Sequence, residues 1–164
     1  MEMLPLDTFK NIIKSTPLIS IDLIVRNSEG KVLLGKRVNR PAQGYWFVPG
    51  GRILKDESFT TAFNRLVKNE LGLDLIKSKF KGVYQHFYDD NFSEADFTTH
   101  YVVLAYEVCA GEVLSNLPLE QHSSYQWVAE DELLADQRTH VHTKWYFQKS
   151  KQADSDMKLY TCDH

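Results

Sequence analysis

Apolar and polar positions alternate in some stretches of the chain and recur every three to four residues in others. "LISIDLIVRN", Leu18 to Asn27, alternates, is rich in β-branched residues and stops at "NSEG", so it reads as a strand. "KVLLGKR" reads as its hairpin partner. "VNRPAQGYW" is a loop punctuated by Pro41 and Gly44, and "YWFVP" is a short strand ending at Pro49-Gly50-Gly51. From Ser58 to Leu71 the period changes. Phe59, Ala62, Phe63, Leu66 and Val67 form an apolar stripe at helical spacing, with Asp56 and Glu57 at the start and Gly72 as the C-cap. "FKGVYQHFY" and "FTTHYVVLAYEV" read as two long strands around an acidic loop, "DDNFSEAD". "SYQWVA" is one more strand, and "EDELLAD" and "VHTKWYFQKS" read as closing helices. Upstream, "LDTFKNIIKS" reads as a short helix capped by Asp7, with Phe9, Ile12 and Ile13 on one face.

This order predicts an α/β (α+β) fold, a mixed β-sheet sandwiched between helices. A single domain is expected over residues 1–150, followed by a polar tail, 151–164, expected to be mobile. The 164 residues suit one core. A net charge of −3 argues against a nucleic-acid carrier, yet leaves room for local arginines to bind a small anion. Cys109 and Cys162 form no C-x-x-C pair and no disulfide framework. The N-terminus lacks the pattern of a signal peptide and no window suits a membrane span, so a cytoplasmic protein is the default expectation.

The candidate chemistry lies in "GRILKDESFTTAFNRLVKNELGL". It resembles the Nudix box, G-x5-E-x7-R-E-U-x-E-E-x-G-U, where U is a bulky aliphatic residue. Gly51, Glu57, Arg65, Val67, Glu70, Gly72 and Leu73 match, whereas Leu66 and Asn69 stand where glutamates belong. An amphipathic helix after a glycine turn would explain the stripe but not Glu57, Arg65 and Gly72 at these spacings. In a full box the last three glutamates share a helix face and hold divalent cations against a diphosphate. With Glu70 alone, one cation bound with help from neutral oxygens remains feasible, but a cluster of cations does not. Such an ion suits a diphosphate leaving group better than an attacked phosphorus. In a nucleotide sugar the other electrophile is the anomeric carbon.

"LLGKRVNRPAQGYWFVPGGR", "VYQHFYDDNF", "DFTTHYVVL" and "EQHSSYQW" extend the likeness. Together with the box they resemble the GDP-mannose mannosyl hydrolases within the Nudix superfamily, from about Asp7 to about Lys149. That subfamily also has leucine after the box arginine and a single terminal glutamate. The resemblance implies hydrolysis of GDP-mannose, or more loosely GDP-glucose, to GDP and free sugar. Water attacks C1 with inversion, one Mg2+ (or Mn2+) per subunit assists, and the enzyme is a homodimer.

The implied metal ligands are the Gly50 carbonyl, the Glu70 carboxylate and the Gln121 side chain, and the implied general base is His122. Asp22, an aspartate inside a β-branched run, becomes a sugar contact that also stabilises charge at C1; a buried pairing with an arginine is the alternative. Arg37 meets the diphosphate, and Arg52 could meet phosphate. Arg65, in the same region, more naturally orders Glu57 by an ion pair. Tyr101 and His86 reach the diphosphate–sugar region, with core packing the alternative for both. Met3, Leu4 and Phe9 fall where the family contacts the base, although Phe9 also suits a helix core. His140 and His142 read as packing residues, because a His-x-His pair on a helix does not aim both rings one way. An ordinary Nudix pyrophosphohydrolase and a non-catalytic nucleotide-sugar sensor are the competing readings.

Overall fold

The computed structural model describes residues 3–74, 76–110, 117 and 122–156, with only the backbone of His122. Helix α1 (Leu6–Ser15) leads into strands β1 (Leu18–Arg26), β2 (Val32–Arg37), β3 (Trp46–Phe47) and β4 (Gly50–Arg52). Helix α2 (Phe59–Leu66) follows and continues into a π turn, Val67–Leu71. Strands β5 (Ser78–Tyr88), β6 (Thr99–Cys109) and β7 (His122–Val128) precede two short helices, α3 (Glu130–Ala135) and α4 (Val141–Lys144). The strands form one mixed sheet in the order β3-β2-β1-β6-β5, with β4 also on β1 and β7 also on β2.

β1 is the organising strand. Ile21, Leu23, Ile24 and Val25 have no exposed surface, so β1 must be covered on both faces. It pairs in parallel with β6 along its whole length, from Leu18↔Tyr101 to Arg26↔Cys109. The expected hairpin with β2 forms, with Arg26 opposite Val32, and β2 also pairs with β7, from Val32↔Val128 to Arg37↔His122. One core layer joins Ile21, Leu23, Val25 and Val108 to Ala62, Leu66, Val67 and Leu71 of the α2 segment. The opposite layer joins Ile24, Leu34, Val103 and Ala105 to Leu133, Tyr146 and Ala153. The sheet is thus sandwiched, as the pattern of elements predicts.

Four local expectations need correction. Asp7 does not cap α1; Pro5 holds the N-cap position and Asp7 lies in the first turn. The helix expected from Ser58 to Leu71 is α-helical only to Leu66. Ser58 Oγ caps it by accepting from Thr61 N at 3.1 Å, and Gly72 ends the π turn in the left-handed region, φ 70°. The segment "VHTKWYFQKS" is helical only over Val141–Lys144, after which it turns and sends Tyr146 into the core. Finally, the chain from Lys151 to Asp156, expected to be mobile, docks on β5. Ser155 Oγ and Asp154 Oδ2 accept from the backbone N–H groups of Val83 and Gln85, and Ala153 is buried. Gly82 permits this approach: a Cβ there would stand 2.4 Å from Ala153 Cβ. Among the described residues no helix is long and apolar enough to cross a membrane.

Candidate active site

Glycines open the site. β4 lies against β1 with Asp22 opposite Gly50 and Ile21 opposite Gly51. A Cβ on Gly50 would stand 2.4 Å from Ile21 O and 2.7 Å from Asp22 Oδ1, so only glycine lets the two backbones close here. A Cβ on Gly51 would meet Leu66 Cδ2 at 2.5 Å. Leu66, where the box normally carries its first glutamate of the helix, is therefore packed beneath the glycine turn, with 3% of its surface exposed. In the π turn the N–H groups reach back five residues instead of four. This widening keeps position i+4 near position i and swings i+3 further round the axis. Glu70 accordingly stays buried beside the Leu66 row, and Asn69 faces solvent.

The box arginine and its first glutamate have a separate task. Arg65 donates to Glu57 Oε1 at 2.6 Å and Oε2 at 2.9 Å, and to Arg52 O at 2.8 Å. Glu57 Oε2 also accepts from Leu54 N at 2.8 Å. The hydrogen bonds from Arg65 hold the Glu57 carboxyl below its usual range. Arg65 thus ties the β4–α2 loop to the helix, the ordering role its spacing suggests, and lies off the pocket wall.

Above β4 is a cavity of about 500 Å³ that gathers Asp22, Arg37, Gly50, Arg52, His86 and Tyr101, with Met3 and Phe9 at one side. Residues far apart in sequence thus meet on one face of the sheet. Leu4 is exposed and does not line the cavity. Arg52 stacks its guanidinium 4.4 Å from the centre of the Phe9 ring, so Phe9 belongs to the pocket rather than to a helix core alone. Arg37 lies 5.3 Å from the Phe47 ring centre. Among the described residues neither arginine enters an ion pair, so both carry their charge into the cavity against aromatic faces. Arg40, by contrast, is bound to Asp90.

Burial pushes the Asp22 carboxyl up to about 6, against the Tyr146 hydrogen bond and the Arg37 charge, which pull it down. Its hydrogen-bond partner is thus a tyrosine, Tyr146, at 2.5 Å, and Arg37 acts on it only through space. Burial likewise raises Tyr101, with Arg37 and Arg52 opposing. The backbone of His122 stands opposite Arg37 in the β2–β7 pairing, at the rim of this face. The His122 side chain and all of Gln121 lie outside the described residues.

Beside the cavity the rings of His86, His140 and His142 cluster, His86 stacked on His142 and His140 edge-on to it. The centroids of His86 and His142 are 4.3 Å apart, and those of His140 and His142 are 4.6 Å apart. His140 caps α4 through Nδ1, which accepts from His142 N at 3.1 Å. The helix is so short that its cap and its second residue can share one aromatic cluster, a meeting that helical periodicity does not reveal. Burial holds His86 well below its ordinary value and lowers His140 to about 4 and His142 to about 3. All three are neutral when folded and bind protons on unfolding, so their stabilising contribution is full above pH 6.5 and lost as pH falls toward 4 and 3. Asp22 has the opposite sign: its raised value adds stability as pH falls from about 6 toward 3.8, cancelling one of the three protons. Near pH 5 urea unfolding should therefore show stability falling as the pH is lowered, with a slope on the order of two protons. In His142→Phe the slope should drop by about one proton's share; an unchanged slope would contradict the assignment.

A larger cleft, about 650 Å³, runs past Tyr45, Phe87, Asp89 and Lys144 on the far side of Tyr88. It is lined by no arginine and by none of the site residues expected from sequence, which line the smaller cavity instead where they are gathered at all. Tyr146, which bonds Asp22, and Tyr88, which lines the cavity from β5, escaped the sequence reading, because an aromatic residue in a closing segment or at a strand end looks the same whether it serves a site or only packs. Asn91 escaped as well. It organises the "DDNFSEAD" loop from within, donating to Ala95 O and Phe97 O at 2.7 Å each.

The NUDIX domain family matches residues 16–148. The low-salt glycan biosynthesis protein Agl8 of Haloferax volcanii is 42% identical over 121 residues, 73% of this chain and 76% of that protein. The MutT protein of Methanosarcina mazei superposes with a TM-score of 0.59 at 25% identity, over 81% of this chain and 92% of its own. A MutT Nudix hydrolase from Burkholderia pseudomallei superposes with a TM-score of 0.65 at 23% identity, over 81% and 97%. The glycine turn, the Glu57–Arg65 tie and the sandwiched mixed sheet agree with these matches, and the chain belongs to the Nudix family.

Proposed function

We propose that this protein is a GDP-sugar glycosyl hydrolase that converts GDP-mannose, with GDP-glucose as a weaker substrate, to GDP and free sugar. The observation that carries this reading is the packing of Leu66 under Gly51 and the outward turn of Asn69, which leave Glu70 as the buried carboxylate of the box. A site for several cations is thereby replaced by hydrophobic core. Among the described residues no three His, Cys, Asp or Glu side chains converge as a metal cluster. The donors present fit a single hard cation served by one carboxylate and neutral oxygens: Glu70, the Gly50 carbonyl and, outside the described residues, Gln121. When bound, one Mg2+ or Mn2+ supplies charge neutralisation to the departing diphosphate.

The rest of the reaction falls to the chain's own groups. Arg37 and Arg52 offer guanidiniums to diphosphate oxygens. Asp22 faces the sugar end, where its carboxylate stabilises positive charge developing at the anomeric carbon. Tyr101 donates its hydroxyl hydrogen toward the leaving group. His122 takes a proton from the attacking water, which enters on the face opposite the diphosphate and inverts C1. Phe9 and Met3 border the cavity where a base would lie. The glycan-biosynthesis relative supports a sugar-nucleotide substrate. The active form is proposed to be a cytoplasmic homodimer.

Hydrolysis in 18O-labelled water tests the reading. Label is expected in the released mannose; label in phosphate, with GMP and mannose 1-phosphate as products, identifies an ordinary pyrophosphohydrolase instead. Binding of GDP-mannose without turnover under either cation identifies a sensor. Glu70→Gln should raise the Mg2+ concentration for half-maximal rate by on the order of tenfold or more. Superimposable activation curves would remove Glu70 from the ligand set.

A further inference from the structure

Asp22 does not meet the cavity unsupported. Tyr146, from the turn after α4, donates to Asp22 Oδ2 at 2.5 Å, and the same hydroxyl oxygen lies 3.3 Å from His86 Nε2. Tyr146 and His86 are each 4% exposed. A phenol has one proton, so a hydroxyl that donates to the carboxylate has only lone pairs left for the imidazole. His86 Nε2 must then carry the hydrogen. The bonds run one way, from His86 through Tyr146 to Asp22, and each polarises the next. The other carboxylate oxygen, Oδ1, faces β4, 2.7 Å from where a Cβ on Gly50 would stand. Asp22 is therefore tied at Oδ2 from behind and presents Oδ1 in one direction.

We propose that Tyr146 is a positioning residue of this active site, aiming the Asp22 carboxylate at the sugar end of the substrate, with His86 orienting the Tyr146 hydroxyl. The proposal rests on the GDP-sugar reading of the cavity. The Tyr146 ring is held independently of its hydroxyl: it stands edge-on to Tyr84 at 4.8 Å and shares a core layer with Leu133 and with Ala153 of the docked C-terminal segment. Tyr146→Phe thus removes one O–H and leaves the packing. A carboxylate aligned with charge that develops only in the transition state affects kcat, whereas KM reports ground-state binding.

The test uses the full chain with GDP-mannose and Mg2+. Tyr146→Phe is expected to lower kcat by about tenfold or more, with KM within about twofold. In the Asp22→Asn background, adding Tyr146→Phe should cost little further, because the two act as one unit. An unchanged kcat in Tyr146→Phe overturns the proposal, as does a double variant whose loss is the product of the two single losses. A readout free of turnover is the 15N spectrum of the histidine rings in the unsubstituted protein. His86 should be the Nε2–H tautomer, and the Nδ1–H tautomer overturns the proposal. If the unsubstituted enzyme releases mannose 1-phosphate, the GDP-sugar hydrolase reading alone fails, and the coupling between positions 22 and 146 is still decided on that reaction.

Discussion

Leu66→Glu, which completes one more position of the Nudix box, is expected to destabilise the fold by about 3–5 kcal/mol rather than to create a better metal site. Leu66 lies in the layer formed with Ile21, Leu23, Val25 and Ala62. Its Cδ2 fills the space where Gly51 has no side chain. A carboxylate there loses the packing of the leucine and must either be buried with its charge or take up a proton. The measurement is urea unfolding at neutral pH with and without Mg2+, paired with product analysis. The expected result is a large stability loss that Mg2+ does not restore, and no shift of products toward mannose 1-phosphate. Full rescue by Mg2+ would show that position 66 opens onto a cation site rather than into the core.

His122→Gln should lower kcat on GDP-mannose by about two orders of magnitude or more, the usual contribution of a general base. Glutamine keeps a polar side chain of similar reach but cannot accept a proton near neutral pH. The backbone of residue 122 stands opposite Arg37, which lines the cavity. Steady-state kinetics across pH are the check. The variant should lose the limb of the rate profile that rises with deprotonation of an imidazole. A variant retaining kcat within a few-fold would assign the base to another group, and Asp22 would be the first candidate.

Much of this site is legible in one dimension because its parts are local. The turn Gly50-Gly51, the helix after Ser58 and the Glu57–Arg65 tie lie close together in sequence, and each has a spacing that means something. Arg37, Arg52, Asp22 and Tyr101 were reachable through their resemblance to a known pattern, and the structure brings all four to one cavity. The β1–β2 hairpin forms as alternation and a turn predict, whereas the parallel partner β6 and the pairing of β4 with Ser20–Asp22 of β1 were not legible, because they join segments far apart in sequence. The docking of Lys151–Asp156 was invisible because its polar side chains bind β5 backbone groups, a use that composition cannot distinguish from solvation.

The sequence by itself determined the family pattern and its departures: glycine turn, helix, arginine tie to Glu57 and, of the last three box acids, Glu70 alone. These follow from short-range spacing and from residue chemistry, which one chain carries in full. Only the tertiary structure decided what the departures do. The π turn swings Asn69 to solvent and leaves Glu70 inside, and Leu66 becomes core because Gly51 has room for it. It also decided that Asp22 answers to Tyr146, 124 positions away, rather than to an arginine. Such a pairing is set by which side chains two packed layers bring to the same buried point, where an unpaired carboxylate is costly and a phenol hydroxyl satisfies it.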